Sequence, residues 1–193
     1  MTAKYSIIVP TYGDRDYWGP LAERAMASVE AQTFRDFELI RCHGEDIRST
    51  RNYGGFKASG EWLVFLDADD ELDSNYLENS NHGFGDIRQP LIVFSDENGV
   101  MQSIPFYISP GGGIQHANYI VIGAPVRRDL FVDSGGFDDY PVFEDWALWL
   151  KLVKHGATLG MTAGVYIIHD LPGNRNGTNV PGIADRVRGD WGS

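Results

Sequence analysis

The stretch EWLVFLDADDELDS, residues 61–74, decides the fold, because an apolar run passes directly into four acids. Trp62 to Leu66 is continuous apolar chain of the length a fully buried strand needs. Asp67, Asp69, Asp70 and Glu71 then crowd its C-terminal end. Carboxylates ~4 Å apart repel by roughly 1 kcal/mol in water and by several times that near protein, so a cation is the natural relief. Asp67 and Asp69 are two positions apart, which on extended backbone sends both to one side, where they can converge on a single divalent ion. All-oxygen donors at a water-accessible edge suit Mg2+ or Mn2+ holding a phosphate. Asp70, Glu71 and Asp73 read as turn and helix-cap residues.

Working outward, KYSIIVPTY (4–12) is a buried strand that gives way at Pro10 to a Gly/Asp-rich turn. Leu21, Ala25 and Val29 repeat at helical spacing and predict a helix over 20–33, opened by Pro20. FELIRC (37–42) is a second strand, and IRSTRNYGGFKAS (47–59) a helix weakened by Gly54 and Gly55. Strand, helix, strand, helix, strand with short connections specifies a parallel sheet of right-handed crossover units. Further on, LIVFS (91–95), VMQSIPFYI (100–108), NYIVIG (118–123) and TAGVYII (162–168) read as strands. Short helices are expected after Asp73 and over 127–135. EDWALWLKLVKHG (144–156) carries Trp146, Trp149, Leu150 and Val153 on one helical face. The glycine-rich SPGGGIQH (109–116) reads as a mobile loop and residues 170–193 as a flexible tail or lid. The expectation is one α/β domain over 1–193 with a mixed central sheet.

Composition narrows the class. A chain of 193 residues, 42% hydrophobic, supports one well-packed domain, and no apolar run approaches the ~20 residues of a membrane span. Net charge −11, with no cluster of four Lys/Arg, argues against nucleic acid and anionic membrane as partners. A lone cysteine, Cys42, suits a reducing, cytoplasmic setting.

Ligands of open parallel sheets bind beyond the C-terminal strand ends, here PTYGD, HGED and DADD. A second pair of acids, Glu144 and Asp145, opens the tryptophan-bearing helix. The helix dipole favours acids there, and a carboxylate held by Trp146 and Trp149 can accept a proton from an attacking sugar hydroxyl. Arg51, with Asn52 beside it, can offset the acids or grip a diphosphate with two N–H groups. His155 complements its helix C-terminus, and His82 lies in a polar turn. His43 and His116 border the ligand edge and the glycine loop. His169 ends the last strand, where a neutral imidazole could join the ligands of a metal.

Together these segments resemble family 2 glycosyltransferases, inverting enzymes of the GT-A fold. The matching stretches are SIIVPTY (6–12), ASVEAQTFRDFELI (27–40), TRNYGGFKASGEWLVFLDADDEL (50–72), RRDLFVDSGGFDD (127–139) and EDWALWLKL (144–152), in the family's order. No single stretch identifies the family; the ordered set does. The resemblance implies a nucleotide-diphosphate sugar donor, a UDP-sugar favoured, and a carbohydrate or other hydroxyl acceptor. Pro10, Thr11 and Tyr12 match the segment lining the base, and Arg51 the arginine near the nucleotide. Asp67 matches the acid on the ribose side and Asp69, across Ala68, the acid that takes Mn2+ or Mg2+. Asp145 matches the catalytic base, with Glu144 beside it and Trp146 on the acceptor side. His169 occupies a place where some members carry a metal- or phosphate-contacting histidine.

One departure stands out. Members carry an acidic turn after the second strand, whose acid meets the base, whereas RCHGED places Cys42 and His43 there, leaving Glu45 or Asp46 as substitutes. Two other readings compete. Haloacid-dehalogenase-like phosphatases also end a strand in D-x-D, but in a first strand and without an Asp70–Glu71 sequel. A non-catalytic nucleotide-sugar or glycan binder on the same fold is the other.

Overall fold

The computed structural model describes residues 3–96, 101–103, 113–169 and 180–192. Strand β1 (Tyr5–Tyr12) leads through helix α1 (Arg15–Glu30) to β2 (Phe37–Gly44), then through α2 (Ile47–Lys57) to β3 (Trp62–Phe65). β1 pairs in parallel with β2 on one side and β3 on the other. Tyr5 to Thr11 and the whole of β3 are buried, as expected of parallel strands covered on both faces. β4 (Glu71–Leu72), α3 (Tyr76–Asn81), β5 (Ile87–Ser95), β6 (Met101–Ser103), β7 (Val126–Arg127), α4 (Arg128–Asp133), α5 (Glu144–Lys154), β8 (Leu159–His169) and α6 (Ile183–Trp191) follow. The sheet order is β2-β1-β3-β7-β5-β8-β4, with β6 paired to β5. β7 runs antiparallel to both β3 and β5, which makes the sheet mixed, as the sequence implied.

Three departures from the sequence-based expectation, and one feature it left unexplained, have identifiable causes. α1 begins at Arg15 rather than Pro20, because the Asp14 carboxylate caps it, accepting from the Asp16 and Tyr17 amides at 2.9 and 3.4 Å. The glycines that weaken α2 are demanded by packing. A Cβ on Gly54 would meet Ile8 Cγ2 at 2.4 Å, and one on Gly55 would meet the Phe131 ring at 2.5 Å. NYIVIG (118–123) is not a strand. Its polar backbone is satisfied by side chains instead: Val121 N–H donates to Gln89 Oε1 and Trp149 Nε1–H to the Ile120 carbonyl. Ile120 and Ile122 still reach the core from this irregular segment. Finally, the expected tail contains α6, whose Ile183, Ala184, Val187 and Trp191 pack on the core beside α5. Tyr140 Oη donates to Asp190 Oδ2 at 2.6 Å and fastens it. The expected glycine loop at 109–112, the strand over 104–108 and the tail over 170–179 lie outside the described residues.

One half-buried staple sets the start of the parallel unit. Glu38 Oε1 accepts from Ser6 Oγ, the Ser59 amide and hydroxyl, and the Gly60 amide at 2.6, 2.6, 2.9 and 3.2 Å. Burial alone would raise this carboxyl, but the hydrogen bonds outweigh it and hold it below its ordinary 4.5. A depressed acid stabilises the fold above the unfolded pKa and loses that contribution as pH falls. Glu38→Ala is therefore expected to cost about 1–3 kcal/mol in urea unfolding at pH 7 and much less at pH 3.

Candidate active site

Beyond β3 the chain turns, with Asp70 N–H donating to the Asp67 carbonyl at 3.0 Å. That turn, rather than an extended backbone, gathers the acids: Asp67, Asp69 and Asp70 each place a carboxylate oxygen within 4.8 Å of the others, while Ala68 is buried between them. Asp70, expected to be a turn residue, is in the cluster. It is only 7% exposed and accepts from Tyr166 Oη at 2.9 Å and the His169 amide at 3.1 Å. Burial, then the charges of Asp67 and Asp69, push its carboxyl well above the usual range. No local signal marks Asp70, since its partners arrive through the pairing of β4 with β8.

This oxygen-only set, strained by mutual repulsion, fits a hard divalent cation such as Mg2+ or Mn2+. His169 stands next to the cluster, but its Nε2 lies 2.7 Å from Glu71 Oε1, and the converging group consists of the three aspartates. Arg24, which the sequence reading passed over, joins from α1. Its Nη2 donates to the Asp69 carbonyl at 2.6 Å, and its Nε lies 3.3 Å from Glu71 Oε1.

Arg51 joins this cluster to the second pair of acids. It is 5% exposed, with Nη2 2.5 Å from Asp67 Oδ1 and Nη1 2.5 Å from Glu144 Oε1. Burial would lower its pKa, but the charges of Asp67 and Glu144 more than compensate and keep it protonated. Both terminal nitrogens are thus engaged by carboxylates, and Arg51 forms a strut between two acids, the first of the two roles the sequence suggested for it. Asn52 fixes the next segment, its side chain accepting from Phe137 N–H at 2.8 Å and donating to Phe137 O at 2.9 Å. Lys151, buried on α5, ties the same loop down by donating to the Gly136 carbonyl at 2.5 Å and pairing with Asp138 at 3.0 Å.

The first turn of α5 is held rigidly. Phe143 precedes it with φ 62°, a left-handed conformation costly for a residue with a side chain. Trp146, expected on the acceptor side, is 3% exposed, and its indole N–H goes to the Ile114 carbonyl at 2.7 Å. It anchors the helix from within the core and presents almost no surface. Asp145 Oδ2 accepts from Asn118 Nδ2 at 3.1 Å, a partner contributed by the misread segment 118–123. Burial first, and Glu144 second, raise the Asp145 carboxyl from 3.8 to about 6.

The remaining expected residues share this edge. Pro10, Thr11 and Tyr12 end β1 opposite Cys42, His43 and Gly44 of β2. Asp46 caps α2, accepting from the Ser49 amide at 2.8 Å and its hydroxyl at 2.6 Å, which lowers its carboxyl.

No protein-family model matches the chain. The GalNAc(5)-diNAcBac-PP-undecaprenol beta-1,3-glucosyltransferase of Campylobacter jejuni is 27% identical, across 49% of this chain and 40% of that one. Among solved structures, S. aureus TarS 1-349 in complex with UDP-GlcNAc superposes with TM-score 0.67 over 95% of this chain and 64% of its own, at 17% identity. The chain has the GT-A glycosyltransferase fold. GalNAc-T7 with UDP, GalNAc and Mn2+ shares this GT-A fold at TM-score 0.63, over 96% of this chain and 47% of its own, at 15% identity. The sequence similarity is to a glycosyltransferase, and the structural likeness is one of fold. The chain spans 40% of the length of the curated relative and about three fifths of the TarS fragment.

Proposed function

We propose that the protein is an inverting glycosyltransferase that moves a sugar from a nucleotide-diphosphate donor, a UDP-sugar favoured, to an acceptor hydroxyl. The observation that carries this reading is the Arg51 strut: one guanidinium touches Asp67 and Glu144, so the aspartate cluster and the acids of α5 belong to one site. Asp145, raised to about 6, is largely ionised at neutral pH yet basic enough to take the acceptor proton as the oxygen attacks. Attack in line with the leaving diphosphate inverts the anomeric centre in a single displacement. Asp69 and Asp67, with Asp70 behind them, would hold Mn2+ or Mg2+, which supplies charge neutralisation on the departing diphosphate. GalNAc-T7, whose structure holds UDP and Mn2+, lends this reading support. The lone, buried Cys42 suits a cytoplasmic location, and no helix of the described residues is long and apolar enough to cross a membrane.

The test is a thermal-shift panel of UDP-, GDP-, CMP- and dTDP-sugars with and without Mn2+, followed by transfer and donor-hydrolysis assays. A donor at 100 times its dissociation constant adds about 2.7 kcal/mol of stability, and chelation by EDTA is expected to remove most of it. Metal-dependent binding without transfer or hydrolysis would establish the non-catalytic binder instead. Absence of any binding would refute the nucleotide-sugar reading.

A further inference from the structure

Pairing of β3 with β1 runs to Phe65 opposite Ile8, and Leu66 N–H still reaches the Ile8 carbonyl at 2.8 Å. One residue later the pairing has ended and the acids begin. There the Asp67 amide is met by a side chain, donating to Tyr166 Oη at 3.3 Å. The same hydroxyl donates its own proton to Asp70 Oδ2 at 2.9 Å, while Asp70 Oδ1 accepts from the His169 amide at 3.1 Å. A phenol can do both at once, because it carries one proton and can also accept. Tyr166 thus ties the two ends of the turn together, the backbone of Asp67 to the carboxylate of Asp70. Arg24 holds the same turn from the α1 side, at the Asp69 carbonyl.

The ring that carries this hydroxyl is packed in place. Tyr166 is fully buried and lies opposite Leu72 of β4 and Ile92 of β5. Gly123 sits against its edge so closely that a Cβ there would come within 2.1 Å of Tyr166 Cε2. The Gly123 carbonyl is in turn fixed by Tyr76 Oη, which donates to it at 2.5 Å. We propose that Tyr166 is a positioning residue of the metal turn, its hydroxyl holding Asp67, Asp69 and Asp70 at a spacing that accepts a divalent cation before one arrives. This rests on the metal-dependent donor reading above. Three carboxylates this close repel one another, and without a tie they relieve the repulsion by spreading apart. Groups that hydrogen-bond to metal-ligating carboxylates fix their orientation, and losing one typically weakens metal binding by about 10–100-fold.

The experiment titrates Mn2+, alone and with UDP, into the wild type, Tyr166→Phe, Gly123→Ala and Ser6→Ala. Free Mn2+ is read by electron paramagnetic resonance and stability by urea unfolding. Phenylalanine keeps the ring and removes only the hydroxyl, and Mn2+ affinity is expected to fall about tenfold or more. Gly123→Ala keeps the hydroxyl but displaces the ring that aims it, and should weaken Mn2+ binding likewise; it carries the test if Tyr166→Phe does not fold. Ser6→Ala is the control. Ser6 Oγ also accepts from one amide, that of Gly60 at 2.8 Å, and donates to one carboxylate, Glu38 at 2.6 Å, but near the N-terminal ends of β1 and β3. Its loss should lower the urea midpoint and leave Mn2+ affinity within about twofold. Unchanged Mn2+ affinity in folded Tyr166→Phe, or an equal loss in Ser6→Ala, overturns the assignment and leaves the donor reading intact. A wild type that binds no Mn2+ under either condition overturns the metal reading and this inference together.

Discussion

Asp145→Asn is expected to reduce sugar transfer by at least about a thousandfold while metal-dependent donor binding persists, and to make the protein more stable at neutral pH. The two effects share one cause. Asp145 is forced toward the neutral form by its surroundings, with a folded value of about 6 against an ordinary 3.8. For an acid raised in this way the sign runs opposite to a salt-bridged carboxylate. Its folded state is favoured below pH 3.8, that advantage is lost as pH rises toward about 6, and above it the full cost of a desolvated charge is present. At 1.36 kcal/mol per pH unit, that cost is at most ~3 kcal/mol. Asparagine removes the charge and keeps the shape, so urea unfolding at pH 7.5 should show a gain of about 1–3 kcal/mol that vanishes near pH 4. Transfer by the wild type should correspondingly rise through pH 6 as Asp145 ionises. A variant that keeps a tenth of the wild-type rate would remove Asp145 from the role of base.

Arg51→Met should be the most destabilising single change at the site, at about 3–5 kcal/mol, with transfer lost as well. The guanidinium is the counter-charge shared by Asp67 and Glu144, and its removal leaves two poorly hydrated carboxylates facing one another. Lysine keeps the charge but lacks the forked geometry that reaches both acids, so Arg51→Lys should recover only part of the loss. Adding Glu144→Gln to Arg51→Met takes away one of the stranded charges and should return at least ~1 kcal/mol, read as a coupling energy in a double-mutant cycle. Strict additivity of the two changes would show that the strut contributes nothing to the site.

The parts of this molecule legible in the linear chain are those whose cause is local. The β-branched and apolar runs of β1 and β3, the period of α1 and the tryptophan face of α5 each announce an element because burial acts on every residue of it. The D-x-D pair was likewise visible, since consecutive acids at a strand end are costly wherever the rest of the chain goes. NYIVIG misled because Ile120 and Ile122 are buried, as a strand's alternate residues are, while its backbone is satisfied by Gln89 and Trp149 from elsewhere. α6 was missed because its apolar spacing, Ile183 to Val187 to Trp191, is short and interrupted by charge and glycine, and its face is completed by α5.

The sequence by itself determined the parallel crossover unit, the acidic strand end and the acids that open the tryptophan helix, through hydrophobic period and charge crowding alone. Only the tertiary structure decided that Asp70 belongs with Asp67 and Asp69, that Asn118 steadies Asp145, and that Arg51 spans the 93 positions to Glu144. These are pairings between groups far apart along the chain. Their energy depends on distance and desolvation in the folded molecule, and neither exists until the sheet has brought the segments together.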